Sequence, residues 1–448
     1  MKFVPFHYQP AMVNHLRERD VSALFCSPSM GKTVCVLDAV SGWLLNGEAR
    51  GVLIVAPIRV CSITWPNQIR QWDHSSWMRV AHLRTPEGMK AWKEGSAEIY
   101  LINPEQLQKL VPLMFTKKNI AADVIIFDEL SLAKNHTSKR FNALRPYLTL
   151  FNKRVGLTGT PIPNNYLDLF AQVRLLDDGA RLGKSFHQYQ RTFFESDYMG
   201  FKWTLRPGSK EIIDQKIADL ALVMLGDDYL DIPTCSTVEI EVALPPEAKA
   251  AYKTLEKELL LELEKSDVVA LTAAALANKL LQMTSGSVYA EDKSVVHEIH
   301  TAKIDALKKL RKKHGKEPML VLVGYKHESA RILKAIPGAR MFNEKDLGAW
   351  QRGEIHTWVA DPRSLSHGID GIQKGGRIAV WVTPTWSSET EQQTNARLVR
   401  TGQSNETIIY RILVPGTIDD AVCEALREKS DNQTGLFNAL KALQKLVK

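Results

Sequence analysis

The sequence is poor in the features that mark membrane-spanning and disulfide-stapled proteins. Its 448 residues include five cysteines, an odd number without a CxxC pair, so neither a disulfide framework nor a zinc site is expected. The longest apolar runs fall well short of the roughly 18 residues that a membrane span needs. The N-terminus lacks the apolar core and the small-residue cleavage site of a secretory signal. These absences favour a cytoplasmic protein with reduced thiols and no membrane partner.

Low-complexity segments and short-period repeats are also absent, which excludes solenoids and disordered tails. The composition, 44% hydrophobic and 24% charged, is that of a folded globular protein. At about 150 residues per domain, the length predicts two or three domains. Lysine and arginine exceed aspartate and glutamate by 58 to 50, a net charge of +8 that mildly favours a polyanionic partner.

Short apolar runs alternate with amphipathic stretches in two parts of the chain. Strands buried on both faces, with helices between them, predict a parallel sheet in each part. The runs are Ala23–Phe25, Val52–Val55, Ile99–Ile102, Val124–Phe127 and Arg154–Leu157 in the first part, and Met319–Val323, Thr357–Ala360, Ile378–Val382 and Ile408–Leu413 in the second. The fold class is therefore α/β, with two parallel-sheet lobes in tandem.

Between these two parts, from about 177 to 299, helical periodicity dominates and strand-like runs are scarce. Pro245-Pro246-Glu247 is typical of a helix start with an acidic first turn. We place the lobe boundary near Asp231. Lobe one then covers 1–231, with a helical insertion near its end, and lobe two covers 232–448, with an insertion over about 246–300.

A phosphate-binding loop is predicted where the first strand ends. The segment Cys26-Ser27-Pro28-Ser29-Met30-Gly31-Lys32-Thr33 joins a strand to an apolar helix. In such loops backbone N–H groups cradle phosphates, the lysine reaches the β and γ phosphates, and the hydroxyl of Ser or Thr binds Mg²⁺. Cys26 stands where the strict pattern has its first glycine, so an ordinary turn before a helix remains an alternative for this segment alone.

Two carboxylates follow another buried strand. Asp128 and Glu129 come directly after Val124–Phe127, at the strand end where α/β sheets bind ligands. We expect Asp128 to hold Mg²⁺ and Glu129 to orient and activate the attacking water. Together with the loop, they indicate a Mg²⁺-bound group with β and γ phosphates.

With these motifs the chain resembles helicase superfamily two, and more narrowly the SWI/SNF-type ATPases. The motifs that carry the resemblance occur in the family's order along the chain: Phe6–Gln9, Pro57 to Trp72 with Ser62 and Trp65, Leu157–Pro161, Ser366–Asp370, Gln393–Gln403, Tyr410-Arg411, and Gly416–Asp419. The resemblance extends from Phe6 to about Val422. It implies two RecA-like lobes with ATP bound between them.

The resemblance also implies roles for residues outside the loop and the carboxylate pair. Arg397 and Arg400 reach the γ-phosphate, which can be worth about 10³- to 10⁵-fold in rate. Nucleotide-binding positions are Gln9, which reads adenine, the loop residues Ser27, Pro28, Ser29, Met30, Gly31, Lys32 and Thr33, and Gly368, Asp370 and Gln393. Nucleic-acid contacts are Arg59, Ser62, Tyr325, Lys326 and Ser364, mainly to phosphates.

The chain departs from its relatives in two places. Ser131 stands where relatives commonly carry His, and Thr385–Ser388 stands where many have a Trp-Asn run. The remaining length holds no additional reader domain. The resemblance is therefore to the compact branch found in bacteria and phages, acting in the bacterial cytoplasm. The helical spacing of Leu436, Leu440, Leu443 and Val447 predicts a C-terminal helix that packs on lobe two, with a partner-binding or lobe-bracing role as the alternative.

The function that the sequence favours is a DNA-dependent ATPase that translocates on double-stranded DNA. One alternative is a strand-separating helicase on DNA or RNA, with single-stranded DNA or RNA as its partner. The other is a nucleotide-gated binding or recruitment module without productive motor activity, which Cys26 and Ser131 keep open.

Overall fold

The computed structural model describes residues 1–115, 120–197, 203–265, 269–290, 295–365 and 369–446, with side chains in these ranges except at 259–265, 269–273 and 442–446. The chain forms two compact units. Unit one comprises Met1–Leu230 and Lys429–Lys448, and unit two comprises Asp231–Glu428. None of the helices in the described ranges has the length and apolar character that a membrane span requires.

Unit one is built on a seven-stranded parallel sheet, counted over the described residues, in the order β3-β4-β2-β5-β6-β1-β9. Its strands in chain order are β1 (Val21–Cys26), β2 (Val52–Val55), β3 (Val80–His82), β4 (Ile99–Ile102), β5 (Val124–Asp128), β6 (Lys153–Thr158) and β9 (Ala221–Met224), with β7 (Phe194–Ser196) and β8 (Trp203–Leu205) forming a separate antiparallel hairpin.

The first helix of unit one precedes β1, and the helices that follow it lie between strands of this unit. The helices are α1 (Gln9–Arg17), α2 (Lys32–Leu45), α3 (Trp65–Gln71), α4 (Pro86–Glu94), α5 (Pro104–Met114), α6 (Lys139–Leu144), α7 (Asp168–Asp177), α8 (Phe186–Phe193) and α9 (Ser209–Ile217). A π-helix, Val60–Thr64, precedes α3, and 3₁₀ turns occupy Leu130–Ala133, Arg145–Leu150 and Gly226–Asp228.

Both faces of this sheet are buried because successive residues of a strand point to opposite sides. Leu53 and Val55 of β2 belong to one apolar cluster, whereas Val52 and Ile54 belong to the other. Strands covered on both faces need near-continuous apolar runs, which is the pattern of β2 and β4.

Unit two repeats this construction on a six-stranded parallel sheet in the described residues, in the order β10-β17-β16-β13-β15-β14. Its strands are β10 (Cys235–Glu241), β13 (Met319–Leu322), β14 (Arg340–Met341), β15 (Thr357–Ala360), β16 (Ile378–Trp381) and β17 (Thr407–Leu413), with β11 (Ser287–Tyr289) and β12 (Val296–Glu298) as a separate hairpin. The predicted pair of parallel α/β sheets is confirmed.

The helices of unit two lie between its strands, except the last helix, which follows β17. They are α10 (Pro246–Lys265), α11 (Val269–Ser285), α12 (Ala302–His314), α13 (Lys326–Ala335), α14 (Leu347–Gln351), α15 (Pro362–Leu365), α16 (Ser388–Asn395) and α17 (Ile418–Leu446), with 3₁₀ turns at Glu344–Asp346 and Ile372–Lys374. Helix α10 begins at Pro246, as the Pro-Pro-Glu segment predicts.

The segment between the two predicted sheets contains more strand than the sequence indicates. Strand β9 pairs in parallel with β1, and β10 pairs in parallel with β17. Each forms an edge strand of one of the two sheets. A short apolar run such as that of β9 does not by itself distinguish strand from helix, and β10 is a largely exposed edge strand with a mixed polar pattern. The expectation of a mainly helical segment is therefore wrong for these residues.

The C-terminal helix is also placed differently from the prediction. Helix α17 begins in unit two, but its residues from Lys429 onward belong to unit one. Leu436 and Leu440 are fully buried in an apolar cluster of unit one, together with Phe437. The expected packing on lobe two is therefore wrong for this part of the helix, and these side chains are covered within the chain rather than presented to a protein partner. The side chain of Leu443, and Val447 itself, lie outside the described residues.

A fully buried ion pair fixes the start of α17 inside unit two. The Lys303 ammonium lies 2.7 Å from Asp419 Oδ2, and neither side chain is exposed. Lys303 Nζ also donates a hydrogen bond to Val382 O, and Asp419 accepts hydrogen bonds from Thr284 Oγ1 and from the Val414 amide. Because both charges have several partners, the cost of desolvating them is offset.

We predict that Asp419→Asn destabilises unit two by about 3–5 kcal/mol, because it leaves the buried Lys303 charge without its counterion. Chemical denaturation measures the loss, and hydrogen exchange should show it in α12 and α17. Asp420→Asn is the matched control, since Asp420 lies next in the chain but is exposed and caps the Gly416 amide. The control substitution should lower the free energy of unfolding by less than about 1 kcal/mol. Equal losses in both variants would contradict the role given to the pair.

Candidate nucleotide site and nucleic-acid contacts

The phosphate-binding loop connects the end of β1 to the start of α2. Two of its residues have left-handed backbone conformations, Ser29 with φ 67° and Gly31 with φ 76°. Such residues let the chain turn tightly before a helix whose N-terminal N–H groups favour an anion. Ser27 is tied to the sheet through its amide, which donates to Met224 O at 3.0 Å, while Pro28 is exposed and Met30 is buried.

Gln9 packs directly against this loop. Its amide nitrogen lies 3.3 Å from Met30 O, and its Oε1 accepts a hydrogen bond of 2.9 Å from the Phe6 amide. A Cβ atom on Gly31 would stand 2.3 Å from Gln9 Nε2. The backbone conformation at position 31 therefore favours glycine, and any larger residue would displace the side-chain amide of Gln9. The structure brings Gln9 to the phosphate loop; its expected contact with adenine stays a prediction.

Lys32 and Thr33 open helix α2. The Lys32 ammonium donates hydrogen bonds to two carbonyls of the loop, Cys26 O at 2.7 Å and Ser27 O at 3.0 Å. Cys26 itself is fully buried at the strand end, and burial raises the pKa of its thiol to about 12. The cysteine that replaces the first glycine is thus an inert part of the core.

Asp128 ends strand β5 beside the loop. Its Oδ2 accepts a hydrogen bond of 2.8 Å from the indole N–H of Trp65, a residue with no exposed surface. Burial raises the pKa of the Asp128 carboxyl, and the hydrogen bond from Trp65 and the positive charge of Lys32 oppose that rise. The positive Lys32 ammonium and the Asp128 carboxyl group therefore lie close enough to interact electrostatically.

Glu129 is held in a strained conformation by two hydroxyl groups. It is a non-glycine residue with φ 74°, immediately before the 3₁₀ turn Leu130–Ala133. Its Oε1 accepts hydrogen bonds of 2.7 Å from Ser131 Oγ and from Thr158 Oγ1. Ser131, which departs from the relatives' histidine, therefore contacts the carboxylate directly. Strained residues of this kind persist where the surroundings over-determine them, often in functional sites.

These residues fit a magnesium–triphosphate group by their chemistry. The buried Ser29 hydroxyl has no hydrogen-bond partner within the described part of the chain, and it lies in the turn that precedes α2. Carboxylate and hydroxyl oxygens, as in Asp128 and Thr33, are the donors that Mg²⁺ prefers. The loop, its lysine and the two carboxylates thus meet at one edge of the unit-one sheet.

One contact at this edge has no signal in the sequence motifs. The amide nitrogen of Gln433, in the part of α17 that belongs to unit one, donates to Gly159 O at 3.2 Å. Gly159 follows Thr158 at the end of β6. The contacts of Trp65 with Asp128 and of Thr158 with Glu129 were not predicted, although both residues lie in the motifs that carry the resemblance. The signal available in the sequence was a hydrogen-bonding side chain inside each motif.

In unit two, Arg397 and Arg400 lie in the turn after α16, which ends at Asn395. Arg397 donates hydrogen bonds of 2.9 Å to Leu365 O and to Ile369 O. Burial, followed by the charge of Arg400, lowers the pKa of the Arg397 guanidinium to about 10, so it remains charged at neutral pH.

Arg400 pairs with another predicted site residue. Its Nη1 lies 3.1 Å from Asp370 Oδ1, and Asp370 is largely exposed. Gln393 lies in α16, where its amide nitrogen is 3.5 Å from Glu389 Oε1. Unit two thus brings Arg397, Arg400 and Asp370 together. Gly368 lies outside the described residues, so its expected contact with the nucleotide stays a prediction.

The predicted nucleic-acid contacts of unit one lie around a π-helix, a rare element that often marks functional sites. Arg59 immediately precedes the π-helix Val60–Thr64 and is partly exposed. Ser62 is exposed within it, and its hydroxyl donates to Ile58 O at 2.8 Å. Both positions are accessible from solvent in unit one.

The predicted contacts of unit two differ from one another in exposure. Lys326 is exposed at the start of α13, and Ser364 donates through Oγ to Asp361 O at 2.6 Å. Tyr325 is half-buried, its hydroxyl donates to Oδ1 of the exposed Asn278 at 2.8 Å, and its ring stacks on His327. Tyr325 therefore supports the start of α13 rather than standing free at the surface.

A family model for the SNF2-related domain matches residues 8–322, well over half of the chain. This chain belongs to the SNF2-related family. It therefore carries an SNF2-family ATPase core, and the resemblance that its motifs indicate is confirmed.

Relatives of this SNF2-family chain differ in length. It is 32% identical to protein p41 of Acyrthosiphon pisum secondary endosymbiont phage 1, over 98% of this chain and 99% of that protein, which supports the predicted phage branch. It is 22% identical to mouse (Mus musculus) DNA excision repair protein ERCC-6-like, over 88% of this chain but 38% of the mouse protein. A solved Sulfolobus solfataricus SWI2/SNF2 ATPase core in complex with dsDNA is 17% identical, with a TM-score of 0.46, covering 100% of this chain and 96% of that one.

We predict that Gly31→Ala weakens nucleotide binding by about tenfold or more, equivalent to roughly 1.4 kcal/mol, because the added methyl group displaces Gln9 from the loop. Gly47→Ala is the control, since Gly47 has a similar φ of 73° but open space around its Cβ position. Both variants should lose stability, because an L-residue in the left-handed region costs roughly 1–2 kcal/mol. Only the first should bind a fluorescent ATP analogue more weakly. Unchanged affinity would contradict the assignment of the loop.

Proposed function

We propose that this SNF2-family protein is a DNA-dependent ATPase that moves along double-stranded DNA without separating its strands. The observation that carries the proposal is the meeting of the Lys32 loop with Asp128 and Glu129 at one sheet edge. This arrangement supplies the parts that phosphoryl transfer from ATP requires, namely charge neutralisation and a positioned base.

Different residues of unit one would bind different parts of the substrate. The loop amides and Lys32 would bind the phosphates, and Gln9 would support the loop on the adenine side. Thr33 and Asp128 would hold Mg²⁺, which when bound neutralises phosphate charge. Asp128 is partly buried, which strengthens its interactions with opposite charges relative to those in bulk water.

Glu129 is the proposed base for the attacking water. Its carboxylate accepts two hydroxyl hydrogen bonds, both at Oε1, so its orientation is fixed before substrate arrives. A carboxylate fixed in this way can take a proton from water without paying for reorientation in the transition state. Ser131 and Thr158 are then positioning residues for Glu129.

Arg397 and Arg400 of unit two are proposed to stabilise the charge on the transferred phosphate. Such arginines can contribute about 10³- to 10⁵-fold in rate. In this proposal ATP binding closes the two units and hydrolysis reopens them, and this cycle drives movement.

Double-stranded DNA is the proposed partner. Arg59 and Lys326 offer two positive charges, and Ser62 and Ser364 offer two hydroxyls, all suited to phosphate contacts, which carry no sequence preference. The net charge of +8 favours a polyanion. The mouse relative is named as a DNA excision repair protein, which supports DNA rather than RNA.

ATP hydrolysis measured with duplex DNA, single-stranded DNA and RNA tests the proposal. We expect the largest stimulation with duplex DNA, and displacement of the third strand of a triplex without unwinding of a forked duplex. Unwinding without triplex displacement would favour a strand-separating helicase instead. Hydrolysis that no nucleic acid stimulates would favour a nucleotide-gated binding module.

Three substitutions should separate the proposed roles. Lys32→Ala should abolish nucleotide-dependent turnover, and Glu129→Gln should keep ATP binding while lowering kcat by about 10²-fold or more. Arg400→Ala should spare binding but lower kcat by about 10³-fold. Arg352→Ala is the control in unit two, because Arg352 is exposed and pairs with Glu354. Full turnover in Glu129→Gln would overturn the role given to that residue.

A further inference from the structure

The carboxylate of Asp128 has one side-chain hydrogen bond in the part of the chain that the structure describes. The Trp65 indole N–H donates it to Oδ2 at 2.8 Å. Trp65 has no exposed surface and packs in an apolar cluster of unit one. The donor is therefore rigid, and one oxygen of the carboxylate is fixed while the other remains available to a cation.

The sheet topology brings Trp65 to this position. Strands β2 and β5 are parallel neighbours, and Val55 at the end of β2 pairs with Phe127, the residue before Asp128. The chain leaving β2 forms the π-helix Val60–Thr64, after which α3 begins at Trp65. Because both strands end at the same edge, the first residue of α3 lies beside Asp128.

A neutral indole donor suits a carboxylate that must also bind a cation. It restricts rotation of the carboxylate without adding a positive charge that would compete with the metal. Donors that orient a metal-binding side chain in this way commonly account for about 10- to 100-fold in metal affinity or activity.

We propose that Trp65 is a positioning residue that orients Asp128 toward Mg²⁺ and links this carboxylate to the segment that carries Arg59 and Ser62. The inference rests on the proposed function, in which Asp128 holds the metal and that segment contacts DNA.

The link follows from continuity of the chain. Ser62 lies three residues before Trp65, in the same uninterrupted run of π-helix and α3. Cys61 anchors that run from inside, since its thiol donates to Ala56 O at 3.2 Å. A phosphate bound at Arg59 or Ser62 therefore acts on an element whose next buried side chain is Trp65, and a shift of this element changes the hydrogen bond to Asp128.

The test compares Trp65→Phe with Trp92→Phe. Trp92 is likewise buried in unit one, and its indole N–H donates to a backbone carbonyl, Met114 O at 3.0 Å. Calorimetry measures binding of the non-hydrolysable analogue AMP-PNP with Mg²⁺ and with EDTA. We expect Trp65→Phe to weaken binding by about 10- to 100-fold with Mg²⁺ and to leave binding in EDTA unchanged. The Trp92 variant should match the wild-type protein in both.

Benzothienylalanine at position 65 serves as a second variant if phenylalanine impairs folding. It keeps the bicyclic shape of tryptophan and replaces the N–H with sulfur, so the packing remains while the hydrogen bond is lost. Wild-type binding of Mg²⁺·AMP-PNP in this protein, or in a folded Trp65→Phe variant, would overturn the proposal. A wild-type affinity that does not depend on Mg²⁺ would overturn it as well, because Asp128 would then hold no metal.

Duplex DNA tests the link. In the wild-type protein DNA should increase the affinity for Mg²⁺·AMP-PNP, and the increase should be absent in the Trp65 variants and present in Trp92→Phe. An equal increase in the Trp65 variants would overturn the link. If duplex DNA stimulates no ATP hydrolysis in the wild-type protein, the proposed function fails, whereas the comparison of Mg²⁺ with EDTA still reports on Trp65.

Discussion

Parallel pairing of β6 with both β1 and β5 is the constraint on which the candidate nucleotide site depends. In this register Phe25 pairs with Thr158, and Asp128 pairs with Leu157. Parallel strands end at the same edge of a sheet, so the phosphate loop, the two carboxylates and Thr158 leave the sheet at one level. Gly156 of β6 leaves space for the side chain of Leu130, which follows the two carboxylates, because a Cβ atom on Gly156 would lie 2.7 Å from Leu130 Cδ2.

The site also stores local strain next to this regular framework. Ser29 and Glu129 are non-glycine residues in the left-handed region, at a cost of about 1–3 kcal/mol each. The hydrogen bonds from Ser131 and Thr158 offset this cost at Glu129. Strain of this kind fixes side chains before substrate binds, and unit two achieves a similar order by tying Arg397 to two backbone carbonyls.

Much of the fold could be predicted because its signals are local. The runs Val52–Val55, Ile99–Ile102 and Thr357–Ala360 are strands with the predicted bounds. Strands β9 and β10 could not be assigned in this way, because an edge strand is defined by the neighbour with which it pairs. In the candidate site, the motifs identified Lys32, Asp128 and Glu129, whereas Trp65 and Gln433 became visible through their partners Asp128 and Gly159.

The sequence by itself determined the class of the protein: two parallel α/β sheets, the order of the motifs and the residue types that bind a triphosphate. Those properties follow from hydrophobic period and side-chain chemistry, which are present in any short segment. Tertiary structure alone decided that the end of α17 belongs to unit one, that Ser131 contacts Glu129 and that Trp65 contacts Asp128. Each of these depends on which surfaces the folded backbone brings within hydrogen-bond or van der Waals distance, and spacing along the chain does not encode that distance.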